Sequence, residues 1–292
     1  MKGKRQMKKI NLDQGSQEWL SWRKTVITAT DCPAILGSSP WSTAYKCWQR
    51  KLGLIEEQNT NHAMERGKRL EPEAREKFIK DYGINMTPVV VESSEYNFLG
   101  ASLDGLSHCN RYILEVKCGG AKLHSMAAQG NIPPYYMDQM QHQLLVTGAE
   151  KAFYYSYDGT EGICIEVIPE VGFISRFIPK AREFWRCIAF SEAPELQSSD
   201  YKDMSDDPLW VDHSSQYKKL DEEIKELEKV REGHRRVLIN MCDNESASGE
   251  GIRINRITMK GRVDYETIPQ LTGIDLNQYR KPATTIWKVS VA

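Results

Sequence analysis

Apolar positions recur at two different periods along this chain, and the switch between them near residue 85 divides it. Up to residue 82 the spacing is helical. Residues 16–23 read as a capped amphipathic turn with Trp19 and Leu20 inward, and 30–37 carries capping residues, an early Pro33 and a terminal Gly37, as a short helix does. Residues 43–52 and 64–82 continue the helical pattern, the latter interrupted at Glu71-Pro72. Alternating and fully apolar runs then predict strands near 86–92, 98–104 and 111–118, the second ending on Asp104 and joined to the third through turn residues 105–110. Residues 134–146 read as a helix, 151–157 and 162–168 as a hairpin around Asp158-Gly159, and 171–189 as a closing helix. Helices before and after a small mixed sheet predict an α/β (α+β) core ending near residue 195.

Beyond it the pattern changes. Residues 197–208 are rich in Ser and Asp and read as a linker. Leu220, Ile224 and Leu227 then recur at heptad spacing before the register meets Arg231 and His234 and resumes at Leu238 and Met241. That is a charged helix, half of a helical hairpin, followed by a loop at 244–251 and short strands at 252–259, 262–265 and 285–291. The expected organisation is a basic flexible arm at 1–12, a core at 13–195, a linker at 196–212, and a C-terminal helix with a small β module at 213–292.

Composition narrows the picture only slightly. The chain has 292 residues, 40% hydrophobic and 27% charged, as a folded soluble protein has. No run approaches the ~20 apolar residues that span a bilayer. The basic N-terminus leads into no apolar segment, so it is not a secretory signal. Seven cysteines without CxxC spacing argue against a disulfide framework or a zinc ribbon, and point to a reducing cytoplasm. A formal net charge of −1 means that any contact with nucleic acid must come from a local basic patch, a bound metal or enclosure.

The chemistry enters with Asp104, Glu115 and Lys117. Glu115 and Lys117 lie two apart on one strand and share a face, while Leu114 and Val116 point the other way. Glu-x-Lys on a strand is commonly a solvated face. Here Ile113, Leu114, Val116 and Cys118 make the strand apolar enough to be buried, where a carboxylate and an amine are costly unless paired or bound to metal. Two carboxylates can hold a divalent cation that activates water against a phosphodiester. Lys117 is then placed to orient or deprotonate that water, or to stabilise developing negative charge.

Five segments in order, Arg23-Lys-Thr-Val-Ile-Thr-Ala-Thr30, Gly67-Lys-Arg-Leu-Glu71-Pro, Ala101-Ser-Leu-Asp-Gly105, Leu114-Glu-Val-Lys-Cys118 and Tyr136-Met-Asp-Gln139, extend this reading. Over about residues 13–190 they resemble the YqaJ-like viral recombinases, relatives of the phage lambda exonuclease in the PD-(D/E)xK nuclease superfamily. The resemblance implies a restriction-endonuclease-like mixed sheet flanked by helices. It implies that Asp104, Glu115 and the Val116 carbonyl hold Mg²⁺ or Mn²⁺, that Lys117 is the catalytic lysine, and that Glu71 helps hold metal or water. It further implies that Gln139 supports the nucleophile or scissile phosphate, and that Arg23, Thr30 and Ser102 receive a terminal 5′-phosphate. Leu103 stands where relatives often have proline, a difference without consequence for coordination.

The implied activity is degradation of one strand of duplex DNA from its 5′ end, leaving a 3′ single strand for a phage single-strand annealing protein. Ring-shaped trimers and a phage or prophage origin in a bacterial cytoplasm belong to the same implication. On the residues alone several alternatives stay open. An endonuclease with the same chemistry and a non-catalytic DNA-binding or assembly protein both remain. Thr30 is equally a plain helix cap, Glu71 and Glu65 equally surface ion-pair partners, and Gln139, Gln141 and Gln143 differ only by register. His124 and His142 read as DNA contacts or packing, and Trp41, Trp48, Tyr135 and Tyr136 as core packing rather than base stacking.

Overall fold

The computed structural model describes residues 7–55, 62–258 and 268. It divides into two compact units, residues 1–201 and 202–292. The first is built on a six-stranded sheet in chain order: β1 (Met7–Ile10), β2 (Met86–Ser93), β3 (Gly100–Ser107), β4 (Tyr112–Lys117), β5 (Lys151–Tyr157) and β6 (Gly162–Val167). Every neighbouring pair is antiparallel except β4 and β5, which run parallel. Parallel neighbours need a long crossover, and α5 (Ala121–Ala128) and α6 (Pro134–Thr147) supply it. Met7–Ile10, within the stretch expected to be a flexible arm, pairs with β2 from Met7 opposite Ser93 to Ile10 opposite Val90.

Side-chain alternation along β4 and β5 separates two apolar clusters, one on each face of the sheet. Ile113, Ala152 and Tyr154 pack with Met140, Leu144 and Leu145 of α6 and with Ile27, Cys32 and Phe177. These last come from the segments around α1 (Gln17–Lys24), α2 (Cys32–Leu36), α3 (Ala44–Lys51) and α7 (Phe173–Phe190). Leu114, Val116, Phe153 and Tyr155 pack on the other face against Ala74 and Phe78 of α4 (His62–Tyr82). Glu115 therefore lies on the α6 face, between apolar residues that belong to the α4 face.

Several elements differ from expectation for identifiable reasons. α4 runs unbroken through Pro72. An interior proline costs ~3 kcal/mol through its missing amide and the clash of its ring with the preceding turn, and fully buried Ala74 and Phe78, one turn apart, hold the helix on the sheet. α2 begins at Cys32 with Asp31 at its cap position, so Thr30 is not the cap. β3 does not stop at Asp104 but continues to Ser107. Between its pairings Thr87–Leu106 and Val89–Leu103, β3 supplies one residue more than β2 does, which makes a bulge at Asp104-Gly105 opposite Pro88. Proline has no amide to give the ladder, and a bulge re-aims the side chain it carries. α5 was not expected. Trp48 is core at 7% exposure, but Trp41 is 60% exposed and is not core packing.

In the second unit α8 (Pro208–Asn240) begins inside the expected linker. Asp207 caps it by accepting the amides of Leu209 and Trp210 at 3.0 and 3.2 Å, with Pro208 in the first turn. None of its residues is buried. β7 (Ala247–Gly249) and β8 (Ile252–Ile254) form a hairpin through Glu250 and Gly251, both left-handed, so strand replaces part of the loop expected at 244–251, and the strand expected to 259 ends at Ile254. The strands expected at 262–265 and 285–291 lie outside the described residues. Among the described residues no helix is long and apolar enough to cross a membrane.

Candidate active site

β3 and β4 pair at Gly105–Leu114 and Leu106–Ile113; one more step of that register brings Asp104 opposite Glu115. There the ladder passes from backbone to side chain, with Asp104 Oδ2 accepting the Val116 amide at 2.8 Å. The carbonyl of a strand residue points to the same edge as its amide, so that of Val116 also faces β3. Gly105 makes the approach feasible, since a Cβ there would lie 2.7 Å from Met86 Cβ and 3.1 Å from Leu114 Cβ.

Glu115 is 2% exposed, and both of its oxygens are engaged. Oε1 takes the Lys117 ammonium and, at 2.6 Å, the Gln139 amide; Oε2 takes the Gln143 amide at 2.5 Å. Gln139 and Gln143 lie one turn apart on α6 and share the face that meets Glu115. Gln141 faces away, donating to the Ile168 carbonyl at 2.8 Å and accepting the Glu170 amide at 2.8 Å. The register question among the three glutamines is thus answered with two residues. The Gln143 Oε1 atom is buried without a partner.

Lys117 also reaches Gln139 Oε1 at 3.4 Å and stands 4.5 Å from the centre of the Tyr136 ring. Burial alone would lower its pKa, but Glu115, Tyr136 and Asp104 more than reverse this and keep it above the ordinary lysine value. As arranged here the Lys117 ammonium donates to Glu115 and Gln139. Asp104 moves the opposite way for a carboxylate: burial, then Glu115 and Glu71, raise its pKa well above the usual range against the pull of Lys117 and the Val116 amide. Glu71 itself accepts from Arg75 at 3.0 Å, and Arg75 donates again to the Asp104 carbonyl at 2.9 Å.

Asp104 and Glu115 with the Val116 carbonyl are a hard-oxygen set that fits Mg²⁺ or Mn²⁺. Crowded negative charge at Asp104, from Glu115 and Glu71, favours a cation there. No group of three or more His, Cys, Asp or Glu side chains among the described residues is arranged to hold a metal. Glu71 lies close enough to raise the Asp104 pKa, and one of its oxygens is paired with Arg75.

The residues expected to receive a terminal phosphate gather around Trp19. Its indole N–H donates to Ser102 Oγ at 2.7 Å, and the Arg23 guanidinium lies 4.6 Å over its ring. Arg23 donates to Thr30 Oγ1 at 3.0 Å, and Thr30 lies 3.0 Å from the Thr28 hydroxyl, which donates to Asp31 at 2.7 Å. Asp31 is paired with buried Lys51 at 2.5 Å. Burial would raise the Asp31 pKa, but Lys51, Arg23 and Thr28 hold it well below the carboxylate range. Lys51 also donates to the carbonyls of Arg23 and Val26, at 2.6 Å each, and so pins the segment carrying Arg23. Sequence reasoning missed Thr28, Asp31, Lys51, Arg75 and the role of Gln143; only the i, i+4 spacing of Gln139 and Gln143 offered a signal. His142 packs inside, its Nε2 at 3.0 Å from the Gly100 carbonyl, while His124 contacts Ser156 at 3.1 Å.

A model of the YqaJ-like viral recombinase domain matches residues 18–150. The chain is 28% identical over 196 residues to "Uncharacterized protein YqaJ" of Bacillus subtilis (strain 168), a match over 65% of this chain. It takes in 61% of that relative, so less than two thirds of its length is spanned. Among solved structures the chain is similar to an alkaline exonuclease (LHK-Exo) from Laribacter hongkongensis, at 25% identity and a TM-score of 0.50. The likeness covers 59% of this chain and 92% of that one. LHK-Exo in complex with dAMP gives a TM-score of 0.51 at the same identity and coverage.

Proposed function

We propose, from the match of residues 18–150 to a model of the YqaJ-like viral recombinase domain, that the chain is a metal-dependent 5′→3′ exonuclease on double-stranded DNA. The observation that carries this reading is the placement of Ser102 and Asp104 two residues apart on β3. One anchors the cluster of Arg23, Thr30 and Trp19, the other the cluster of Glu115, Lys117 and Gln139. A terminal phosphate held by the first cluster leaves an adjoining phosphodiester at the second. Arginine offers phosphate a planar fork, and the Thr30 and Ser102 hydroxyls add neutral donors. A bound Mg²⁺ or Mn²⁺ supplies a nucleophilic water and neutralises phosphate charge. Lys117, kept charged, meets the negative charge that develops as water adds to phosphorus and the bond to the departing sugar oxygen breaks. Gln139 and Gln143 hold Glu115 in one orientation throughout.

The resulting 3′ single strand suits an annealing protein in phage-type recombination in a bacterial cytoplasm, and a ring-shaped oligomer would hold DNA despite a net charge of −1. The test is a time course with Mg²⁺ on end-labelled linear duplexes, with or without a 5′-phosphate, and on closed circles. The wild type is expected to degrade 5′-phosphorylated linear DNA and spare circles, and Arg23→Ala to lose the phosphate preference. Rapid cutting of closed circles would replace the exonuclease with an endonuclease.

A further inference from the structure

Three aromatic rings lead outward from Lys117. Tyr136, beneath the ammonium, meets Tyr135 edge-on with ring centres 4.4 Å apart, and Tyr135 meets Trp41 edge-on at 4.6 Å. The series ends in solvent, since Trp41 is 60% exposed. The loop that presents it is tied down on both sides. Ser39 Oγ accepts the amides of Trp41 and Ser42 at 3.3 and 3.2 Å, and the Ser38 hydroxyl donates to Asp138 at 2.5 Å. Arg50 donates to Ser42 Oγ at 2.6 Å, and Thr43, which caps α3, donates to Asp200 at 2.6 Å. An indole held by a fixed loop, met edge-on by Tyr135 and with 60% of its surface in water, is arranged to receive another flat ring.

We infer that Trp41 and Tyr135 form a stacking platform for a nucleobase of the DNA strand cut at Asp104, Glu115 and Lys117. The inference rests on the nuclease reading and adds a base subsite to it. Continuity of the rings with Lys117 identifies the occupant. A strand advances about 3.4 Å per nucleotide along a duplex, so contacts of this length place the platform within a few nucleotides of the cut. Every base has a π face, so the platform holds DNA without selecting sequence.

The experiment uses the full chain and 5′-phosphorylated duplexes carrying 2-aminopurine, whose fluorescence stacking quenches, at each of the terminal positions of the 5′ strand in turn. In the wild type, quenching beyond that of free DNA is expected at one or two adjacent positions; it is lost in Trp41→Ala and retained in Trp41→Phe. Loss of a stack worth ~1–3 kcal/mol corresponds to a rise of roughly 5- to 150-fold in KM, with kcat nearly kept. An abasic residue at the quenched position should raise the wild-type KM by the same factor and leave that of Trp41→Ala unchanged. Thermal melting of the variants confirms that this exposed substitution leaves the fold intact. Active DNA degradation with unaltered quenching and KM in Trp41→Ala overturns the platform alone. A wild type that neither binds nor degrades duplex DNA overturns the nuclease reading as well.

Discussion

Glu115 is a buried carboxylate whose charge is met at Oε1 by Lys117 and Gln139 and at Oε2 by Gln143. Removing the cation while leaving the anion is the costly way to break such a group. Lys117→Ala is therefore expected to cost about 3 kcal/mol of stability in urea titration. Turnover should fall by roughly two to three orders of magnitude while DNA affinity is retained; unchanged turnover would place Lys117 outside the chemistry. His142 gives a second expectation. It is fully buried, its Nε2 meets the Gly100 carbonyl, and its Nδ1 has no partner, so burial pushes its pKa down from 6.5 to about 4. The folded protein thus resists protonation that the unfolded chain accepts. Stability from this group is complete above pH 6.5 and declines as pH falls towards 4, by roughly 3 kcal/mol in all. Chemical denaturation of wild type and His142→Gln across that range should show a greater loss on acidification in the former. The partners of Glu115 were half legible in the sequence. Gln139 and Gln143 stand one turn apart, but nothing in a run of three glutamines says which face meets a carboxylate from a distant strand.

At the scale of elements, the site exists because β3 and β4 stop exchanging backbone hydrogen bonds where Asp104 takes over with its side chain. The bulge opposite Pro88 and the missing Cβ of Gly105 make that handover fit. Gly105→Ala is expected to force β3 away from Met86 and Leu114 at a cost of about 1–3 kcal/mol, and to depress activity by displacing the neighbouring Asp104. An unshifted urea midpoint with full activity would show that the close approach is not needed. The strands themselves could be read from their apolar runs, but the end of β3 could not. Gly105 looks like a turn signal in sequence and proves to be a packing requirement, because the neighbours that need its missing side chain, Met86 and Leu114, lie on other strands. Pro72 misled in a similar way: a helix breaker by local rules, it is tolerated because Ala74 and Phe78 bury against β4 and β5. The clusters around Trp19 and Lys51 were legible only in part. Arg23 and Thr30 stand in a recognisable segment, while the Asp31–Lys51 pair that steadies them joins two helices whose packing no local pattern encodes.

At the scale of the whole molecule, both apolar clusters and both polar clusters draw all their described members from residues before 202. The sheet is complete there, from β1 to β6, and Asp200 still ties the end of that unit to Thr43 at the start of α3. The second unit contributes a 33-residue helix in which no residue is buried, with its ion pairs spaced three and four residues apart along its own surface. Such pairs support a helix by a few tenths of a kcal/mol each. A chain ending at Tyr201 is therefore expected to melt in one cooperative step, at a temperature close to that of the corresponding transition in the full chain, and to keep its rate on short 5′-phosphorylated duplexes. Calorimetry and a single-turnover assay measure the two properties directly. Sedimentation of both chains, with the length of DNA removed per binding event, then assigns the remainder of the chain. An equal number of copies and equal run length would leave residues 202–292 without a part in assembly or in holding DNA. A fall in the number of copies together with run length would make them the segment through which copies associate. Failure of the shortened chain to melt cooperatively would show that the first unit depends on the second for its stability.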